Sequence, residues 1–218
     1  MMTRDKERHI FQKDLTELER RAYLLAAWFH RKQVRKYTNQ PYRFHLLEVA
    51  LMVKAHGGSR EQVLAAIFHD ILEDTYLTKT NLATILYGIW QKFIGTDQMF
   101  NIQVVLKYVV DLTDVCTHEN MPSVNRKMRK QLEAFRLGQT KPEVQTIKYA
   151  DLINNTESIV ERDEDFARTY LQEKIWLLKE INRGNAFLYR NALITLFQGM
   201  NKLGLYYSFD FSYRQYAS

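Results

Sequence analysis

The apolar residues of this 218-residue chain recur at spacings of three and four positions over nearly its whole length. This spacing puts them on one side of a helix, as in amphipathic α-helices. Only three prolines and eight glycines interrupt the chain, and no segment stands out as a strand candidate, internal repeat or low-complexity stretch. The sequence therefore predicts an all-α protein.

The same periodicity predicts nine helices and places connections at 38–41, 57–58 and 138–142. The helices are Leu15–Arg31, Phe44–Ala55, Arg60–Glu73, Lys79–Tyr87, Ile102–Leu112, Val124–Leu137, Glu143–Glu161, Phe166–Ile181 and Ala186–Lys202. A chain of this length suits one domain with an appendage. We expect the domain at residues 1–182, with 183–218 as a C-terminal extension packed on it.

Composition and charge fit an ordinary globular protein, with 46% hydrophobic and 26% charged residues. No long uncharged apolar run is present and the first residues are polar, so we expect neither a membrane span nor a signal peptide. The single cysteine, Cys116, cannot form an intramolecular disulfide or a cysteine zinc cluster, which favours the reducing cytoplasm. The net charge of +6 is compatible with anionic partners such as nucleotides, RNA or anionic lipid, but net charge alone favours a solvated basic surface.

The run His69-Asp70-Ile71-Leu72-Glu73-Asp74 puts an imidazole and three carboxylates within one short stretch. On a continuous helix all four groups share a face, and the apolar residues before them predict that this face points inward. Burying so much charge without a counter-ion is prohibitive. The pattern therefore favours a divalent metal held by some of these groups, with others free to handle water or protons.

Further ligands must come from elsewhere in the chain, and His45 and Asp151 have the right context. His45 opens a predicted helix, and Asp151 has Asn154 and Asn155 three and four residues further on, hence on its own face. Taken singly, each residue has an ordinary explanation, as a hydrogen-bonded histidine or a surface acid. Together, two histidines and two aspartates suit manganese, iron or zinc better than calcium.

Six blocks of sequence follow one another in a distinctive order. They are His30-Arg-Lys-Gln-Val-Arg-Lys36 with Pro41-Tyr42, His69-Asp-Ile-Leu-Glu-Asp-Thr75, Leu112-Thr-Asp114, Asn125-Arg-Lys-Met-Arg-Lys130, Lys148-Tyr-Ala-Asp-Leu-Ile-Asn-Asn155 and Phe166-Ala-Arg-Thr-Tyr-Leu-Gln-Glu-Lys174. This order resembles the HD-domain metal phosphohydrolases. It is most similar to the alarmone hydrolases related to the hydrolase half of Rel/SpoT enzymes and to the small stand-alone hydrolases. The resemblance runs from about Leu24 to Ile181.

The resemblance implies an HD-domain helical bundle that binds a divalent metal, usually manganese (Mn2+). The implied ligands are His45, His69, Asp70 and Asp151, while Glu73 and Asp74 match the pair that positions and activates the attacking water. The implied activity is removal of the 3′ pyrophosphate from guanosine tetra- or pentaphosphate or their adenosine counterparts. No serine or cysteine nucleophile constellation is visible, and this hydrolysis needs no covalent enzyme intermediate.

The resemblance also implies contacts with a small-molecule nucleotide substrate. The expected contact residues are Arg35, Lys36, Arg126, Arg129, Lys130 and Asn155. Without the resemblance, the basic helix face of Arg126, Arg129 and Lys130 would be read as solvated; with it, phosphate contact is expected. Because a guanidinium stacks on any purine, Arg35 need not select guanine.

Departures from the family leave the substrate open. Lys32 stands where many members have glycine, near the expected base pocket, and the apolar stretch 89–101 is an addition expected to be core or interface. The alternatives are another nucleotide, a pyrophosphorylated RNA 3′ end as in antitoxin hydrolases, or a non-catalytic HD-like protein that binds RNA or a toxin counterpart. The aromatic tail, 205–216, is expected to pack on the domain or on a second subunit of an oligomer.

Overall fold

The structure, a computed structural model, describes residues 2–205 and confirms the all-α prediction. Eleven α-helices lie in this range. They are α1 (Arg4–Lys13), α2 (Glu17–Phe29), α3 (Arg43–Ala55), α4 (Arg60–Ile67), α5 (Ile71–Asp74), α6 (Lys79–Trp90), α7 (Ile102–Leu112), α8 (Arg126–Gly138), α9 (Pro142–Arg162), α10 (Glu164–Glu180) and α11 (Ala186–Lys202). A 3₁₀ turn, Gln91–Phe93, follows α6. An isolated antiparallel bridge between Val34 and Pro41 closes the loop before α3.

Polar caps fix where several helices begin. The side chains of Thr16, Ser59 and Thr78 each accept a hydrogen bond from the backbone N–H three residues further on. The backbone N–H of each cap residue in turn donates to the side chain of that third residue, which completes a capping box. Asn101 and Asn185 cap α7 and α11 in the simpler manner. These last two helices have the bounds that the sequence predicted, because a cap and an apolar period coincide there.

The predicted continuous helix Arg60–Glu73 is wrong. The first helix, α4, ends at Ile67, residues 68–70 form a turn, and the short α5 starts at Ile71. In the turn, the backbone N–H of Phe68 donates to both Leu64 and Ala65 at 3.2 Å, and Nδ1 of His69 lies 2.8 Å from the carbonyl oxygen of Ala66. The shared bond of Phe68 and the side-chain bond of His69 end the regular helical ladder, so the motif residues are split between a turn and a new helix.

Two hydrophobic clusters meet at α9. One gathers the helices before residue 113 and includes Val144, Ile147 and Ala150 of α9, while the other joins α8, α10 and α11 to residues such as Leu152 and Val160. Ile147 is fully buried, so an Ile147→Ala change should cost about 2–5 kcal/mol. Packing on both clusters therefore fixes α9 at the centre of the fold.

The connection from α10 to α11 passes close over α9. A Cβ atom at Gly184 would lie 2.6 Å from Cε2 of Tyr149 and 2.8 Å from the backbone nitrogen of Thr146, so only glycine fits there. The hydroxyl of Tyr149 donates to the carbonyl of Ile181 at 3.0 Å. Helix α11 packs along α9 as a result.

Two further predictions concern segments at the edge of this fold. In the stretch 89–101, Phe93 and Phe100 are buried in the first cluster, whereas Ile94 and Met99 are exposed. The aromatic tail lies outside the described residues from 206 onward, and the domain boundary after residue 182 stays a prediction. Among the described helices, none is long and apolar enough to cross a membrane.

Candidate metal centre and substrate site

Two imidazoles and two carboxylates converge where α3, the α4–α5 turn and α9 meet. The Nε2 atoms of His45 and His69 are 3.1 Å apart. Oδ2 of Asp70 lies 2.9 Å from Nε2 of His69 and 3.4 Å from that of His45. Oδ1 of Asp151 lies 3.4 Å from Nε2 of His45 and 3.8 Å from that of His69. The structure thus brings together the four residues that the sequence analysis nominated as metal ligands.

The hydrogen bonds of the two imidazoles aim their remaining nitrogens at one space. Nδ1 of His45 lies 2.7 Å from Oδ1 of Asn154, and Nδ1 of His69 faces the carbonyl of Ala66. Both partners are acceptors, so each Nδ1 carries the proton and each Nε2 keeps its lone pair. Two lone pairs 3.1 Å apart repel each other unless a cation or proton lies between them. The donor set therefore fits a divalent cation.

Without a bound cation, the neighbouring carboxylates favour a proton on the imidazoles in its place. Burial alone would lower the pKa of His45 and His69, but the facing carboxylates of Asp70 and Asp151 raise both values above the ordinary one. Burial would raise the pKa of the two carboxyls, but the imidazoles hold both well below the ordinary range, and Lys148 lowers the pKa of Asp151 more than either imidazole does. Two ionised carboxylates thus lie buried together, and a bound cation would offset their charge.

A tyrosine that the sequence analysis left without a role holds Asp70. The hydroxyl of Tyr42 donates to Oδ2 of Asp70 at 2.6 Å, and the tyrosine ring stacks on His30 at 5.1 Å between centroids. Burial, followed by the negative charge of Asp70, raises the pKa of Tyr42, which therefore stays a donor. The one sequence signal was its position three residues before His45, directly after the loop that the Val34–Pro41 bridge closes.

Glu73 and Asp74 stand on α5 at the rim of the centre. The prediction that all four polar groups of the motif point inward is wrong for this pair, because the helix break turns both side chains toward solvent. The crowded concave site still desolvates Glu73 enough to raise its pKa to about 7, with the positive charge of Lys148 opposing the rise. One oxygen of Glu73 accepts the backbone N–H of Asp114 at 2.5 Å. A carboxylate with a pKa near neutrality is suited to accept and release a proton.

Arg35 lies on the other side of the centre and is bound to α9. Its Nη2 donates to Oδ1 of Asn155 at 2.8 Å and to Oγ of Ser158 at 3.0 Å. Its Nη1 donates to Oδ1 of Asn154, the atom that also faces His45. Asn155 in turn donates to Asp151 at 2.6 Å. The guanidinium therefore supports the metal centre through the two amides, a role that the sequence analysis missed.

A surface cleft of about 360 Å³ opens beside Arg35. Its walls include Arg35, Gln40, Glu48, Asn154, Glu157 and Arg162. Lys36 stands nearby with an exposed side chain, 3.6 Å from a carboxylate oxygen of Asp163. The cleft thus carries acidic, basic and amide groups together, a mixture that suits an uncharged base and sugar better than phosphates.

The three cations on the predicted basic face of α8 are less available for phosphate contact than the sequence suggested. Arg126 makes a two-pronged ion pair with Glu173, at 2.6 and 3.0 Å. Arg129 donates to the carbonyl of Val124. Lys130 bonds Oδ2 of Asp114 at 2.6 Å. Each predicted phosphate contact thus already has a protein partner, and of the three only Lys130 is joined to the metal centre, through Asp114 and Glu73.

Comparison with known proteins identifies the family of the chain. Residues 22–176 match the HD domain family, and since this is more than half of the chain, the protein belongs to the HD domain family. Over 58 residues it is 47% identical to the guanosine-3′,5′-bis(diphosphate) 3′-pyrophosphohydrolase of Aquifex aeolicus (strain VF5), a match that covers 27% of this chain and 8% of that relative. The chain therefore spans only a small part of that relative's length.

A solved structure shows the same fold over nearly the whole domain. It is described as a metazoan ortholog of SpoT that hydrolyzes ppGpp and plays a role in starvation responses. The TM-score is 0.67, the identity is 20%, and the alignment covers 88% of this chain and 98% of that chain. HD domains bind divalent metals, and the ligand atoms of His45, His69 and Asp70 lie within 4.8 Å of one another.

Proposed function

We propose that this protein is a metal-dependent 3′-pyrophosphohydrolase of guanosine or adenosine alarmones of the (p)ppGpp or (p)ppApp type. The observation that carries the proposal is the convergence of His45, His69, Asp70 and Asp151 next to Glu73, a carboxylate whose pKa is raised to about 7. The 47% identity to a 3′-pyrophosphohydrolase over 58 residues supports the same activity.

The metal ligands in this proposal are His45, His69, Asp70 and Asp151, and manganese is the proposed metal because mixed imidazole and carboxylate sets suit it. When bound, such a metal supplies a water of lowered pKa and neutralises charge on a phosphate oxygen. Asn154 and Ala66 hold the two imidazoles in the tautomer that ligation needs. Tyr42 keeps Asp70 oriented toward them.

Glu73 and Asp74 supply the proton chemistry of the proposal. The water oxygen forms a bond to the phosphorus attached to the 3′ oxygen. The bond between that phosphorus and the 3′ oxygen breaks, and the product is released as pyrophosphate. Glu73, ionised near neutral pH, accepts the proton that the water loses, and the 3′ oxygen takes up a proton. Asp74, the next residue on α5, orients the water.

The nucleoside end of the substrate is assigned to the cleft beside Arg35 and Asn155. This cleft is large enough for a base and sugar, and the Val34–Pro41 bridge holds the loop that forms its edge. Lys36 is exposed at that edge, where its long contact of 3.6 Å with Asp163 can give way to the 5′ phosphates. The proposed reaction would have a small-molecule nucleotide as its substrate.

A substrate panel tests the proposal. The purified protein is incubated with Mn2+ and guanosine and adenosine 3′ pyrophosphates, the same nucleotides without the 3′ group, and RNA with a 3′ pyrophosphate. We expect pyrophosphate release from the nucleotide 3′ pyrophosphates alone. Release only from RNA would favour the antitoxin-like alternative. Protein that holds metal but releases nothing from any 3′ pyrophosphate would contradict the proposal.

A further inference from the structure

His30 ends α2 and is buried, with 1% of its surface exposed, but it is not one of the metal ligands. Its ring stacks on Tyr42, and Nδ1 lies 2.6 Å from Oε1 of Gln33. The other ring nitrogen, Nε2, has no hydrogen-bond partner within residues 2–205, and no other fully buried side-chain nitrogen or oxygen in that range is left unpaired. Because buried polar atoms are nearly always paired, this histidine calls for an explanation.

The hydrogen bonds of Gln33 fix the proton on this imidazole. Nε2 of Gln33 donates to the backbone carbonyl of Asp74. A carbonyl only accepts, so the amide nitrogen of Gln33 faces Asp74, and its Oε1 faces His30, which therefore donates from Nδ1. Burial lowers the pKa of His30 below its ordinary value, so the ring is neutral at pH 7. The unpaired atom, Nε2, thus keeps a lone pair.

Gln33 connects the loop before α3 to the short helix that carries Glu73 and Asp74. The carbonyl of Asp74 lies at the last residue of α5, where a helix offers no backbone partner, and the amide of Gln33 supplies one. The backbone carbonyl of Gln33 in turn accepts the N–H of Tyr42 at 3.1 Å. A helix of four residues has little stability of its own. The position of α5 therefore depends on contacts such as that with Gln33.

Two links thus run from His30 to the metal centre. The first passes through Gln33 to the end of α5. The second passes through the ring of Tyr42, whose hydroxyl donates to Oδ2 of Asp70 at 2.6 Å. Without the donor at Nδ1 of His30, the amide of Gln33 would be free to turn its oxygen toward the carbonyl of Asp74, and the first link would be lost.

The stability of the fold does not account for a histidine at this position. A buried acceptor without a partner lowers stability, because it has given up its hydrogen bond to water. An apolar side chain of similar size would fill the space without that cost. The advantage of His30 therefore lies in the donor at Nδ1, which an apolar side chain lacks.

We propose that His30 is a positioning residue of the metal centre. It holds Gln33 in the orientation that fixes the end of α5, and it holds the ring of Tyr42 in the orientation that bonds Asp70. An effect on metal affinity requires only that the centre binds a divalent cation. An effect on turnover, by contrast, rests on the proposed function.

Calorimetric titration of the full chain, freed of metal, with Mn2+ at pH 7 tests this role, and Tm is measured on the same preparations. H30L is similar in size but has neither the donor nor the unpaired acceptor. It should weaken Mn2+ binding by about tenfold, as loss of a residue that orients metal ligands does, with little change in Tm. H30N keeps an amide N–H near the position of Nδ1. It should bind Mn2+ more tightly than H30L, although the cavity that it leaves should lower Tm further.

The matched control is H56L. His56 also ends a helix, α3, and its Nδ1 lies 2.8 Å from the carbonyl of Met52 one turn earlier on that helix. H56L should bind Mn2+ like the wild type. Q33L removes the first link from its other end, so it should weaken Mn2+ binding as H30L does.

The order of affinity and the order of Tm together decide the proposal. Wild-type affinity of H30L for Mn2+ would overturn it, and Q33L takes the place of H30L if the latter does not fold. Affinities that simply follow Tm across the variants would also overturn it, since His30 would then only stabilise the fold.

Kinetics at saturating Mn2+ extends the test to turnover. H30L should lower kcat with little change in KM, because α5 carries Glu73 and Asp74. No nucleotide enters the Mn2+ titrations. A failure of the proposed hydrolase activity therefore leaves the titrations unaffected, and the two failures are distinguishable.

Discussion

Charged residues are arranged differently at the buried metal centre and on the more exposed face of α8 that carries Arg126, Arg129 and Lys130. At the metal centre, Asp70 and Asp151 lie among imidazoles whose lone pairs face one another, and Lys148 pairs with Asp151. On α8, every one of the three cations meets a carboxylate or a carbonyl of the protein. The centre leaves charge for a ligand to neutralise, whereas the α8 face neutralises its charge internally.

This difference helps to distinguish charged residues that bind a ligand from charged residues that stabilise the fold. A group whose hydrogen-bonding capacity is filled by the protein has little left for a substrate, as for Arg126 with Glu173. The two imidazoles, by contrast, point their Nε2 lone pairs at each other and need a cation or proton between them. Three substitutions and one pH profile test this difference between the metal centre and the α8 face.

The largest effect is expected from Asp70→Asn. The amide is the same size but carries no charge, so the centre loses one of its two anionic ligands and should lose both bound metal and turnover. The helical fold should persist, as circular dichroism would show. Elemental analysis of the mutant beside the exposed control Asp97→Asn measures the loss. Full metal occupancy in Asp70→Asn would refute the ligand assignment.

The next effect is expected from Glu73→Gln. Glu73 stands at the rim and is not needed to complete the ligand set, so the variant should keep its metal and still bind substrate. Loss of the proton acceptor should lower turnover by about 100-fold. Kinetics and metal content are measured on one preparation, with the exposed Glu119→Gln as control. Near-normal turnover would remove Glu73 from the mechanism.

A third effect is a pH dependence that belongs to Glu73. Desolvation raises its pKa from 4.5 to about 7, and the group acts as a base only when ionised. Activity should therefore fall as the pH drops through about 7, approaching tenfold per unit below it, whereas an ordinary glutamate would hold activity down to about 4.5. A pH profile of kcat/KM tests this. The inflection should vanish in Glu73→Gln; its survival there would assign it to another group.

The smallest effect is expected from Arg126→Ala, and it should appear in stability. The change leaves Glu173, which is 6% exposed, without its partner. Because Arg126 is itself half-exposed, we expect a loss of about 1 kcal/mol, or about 2–4 °C in Tm. The adjacent exposed Lys127→Ala serves as control in calorimetric melting. A raised KM with unchanged Tm would instead support the sequence-based assignment of Arg126 to phosphate contact.

Helix prediction succeeded where apolar periodicity and polar caps coincide, and failed where either was missing. Helix α1 was not predicted because Arg4–Lys13 is almost entirely polar and buries only Ile10. The break after Ile67 was not predicted because no glycine or proline marks it. It is held by the His69 side chain and by packing against residues distant in sequence.

Predicting the site from the sequence had a similar limit. Residue types and the family resemblance nominated the four ligands, and the fold brings them together. The supporting contacts join residues far apart in the chain, as Tyr42 does with Asp70 and Arg35 with Asn154. Local sequence patterns do not predict which distant residues will be in contact. Arg35 was therefore expected to contact substrate, although its donors are committed to α9.

The turn at 68–70 gives the centre a property that a continuous helix would deny it. Neighbouring side chains on an α-helix point about 100° apart, so even two adjacent residues on one face hold the ends of their side chains apart. In the turn, His69 and Asp70 bring Nε2 and Oδ2 to within 2.9 Å of each other. One dipeptide therefore behaves as a bidentate chelator, with its bite set by the backbone. Substitutions that joined α4 and α5 into one continuous helix would increase the distance between these two ligand atoms without replacing any ligand residue.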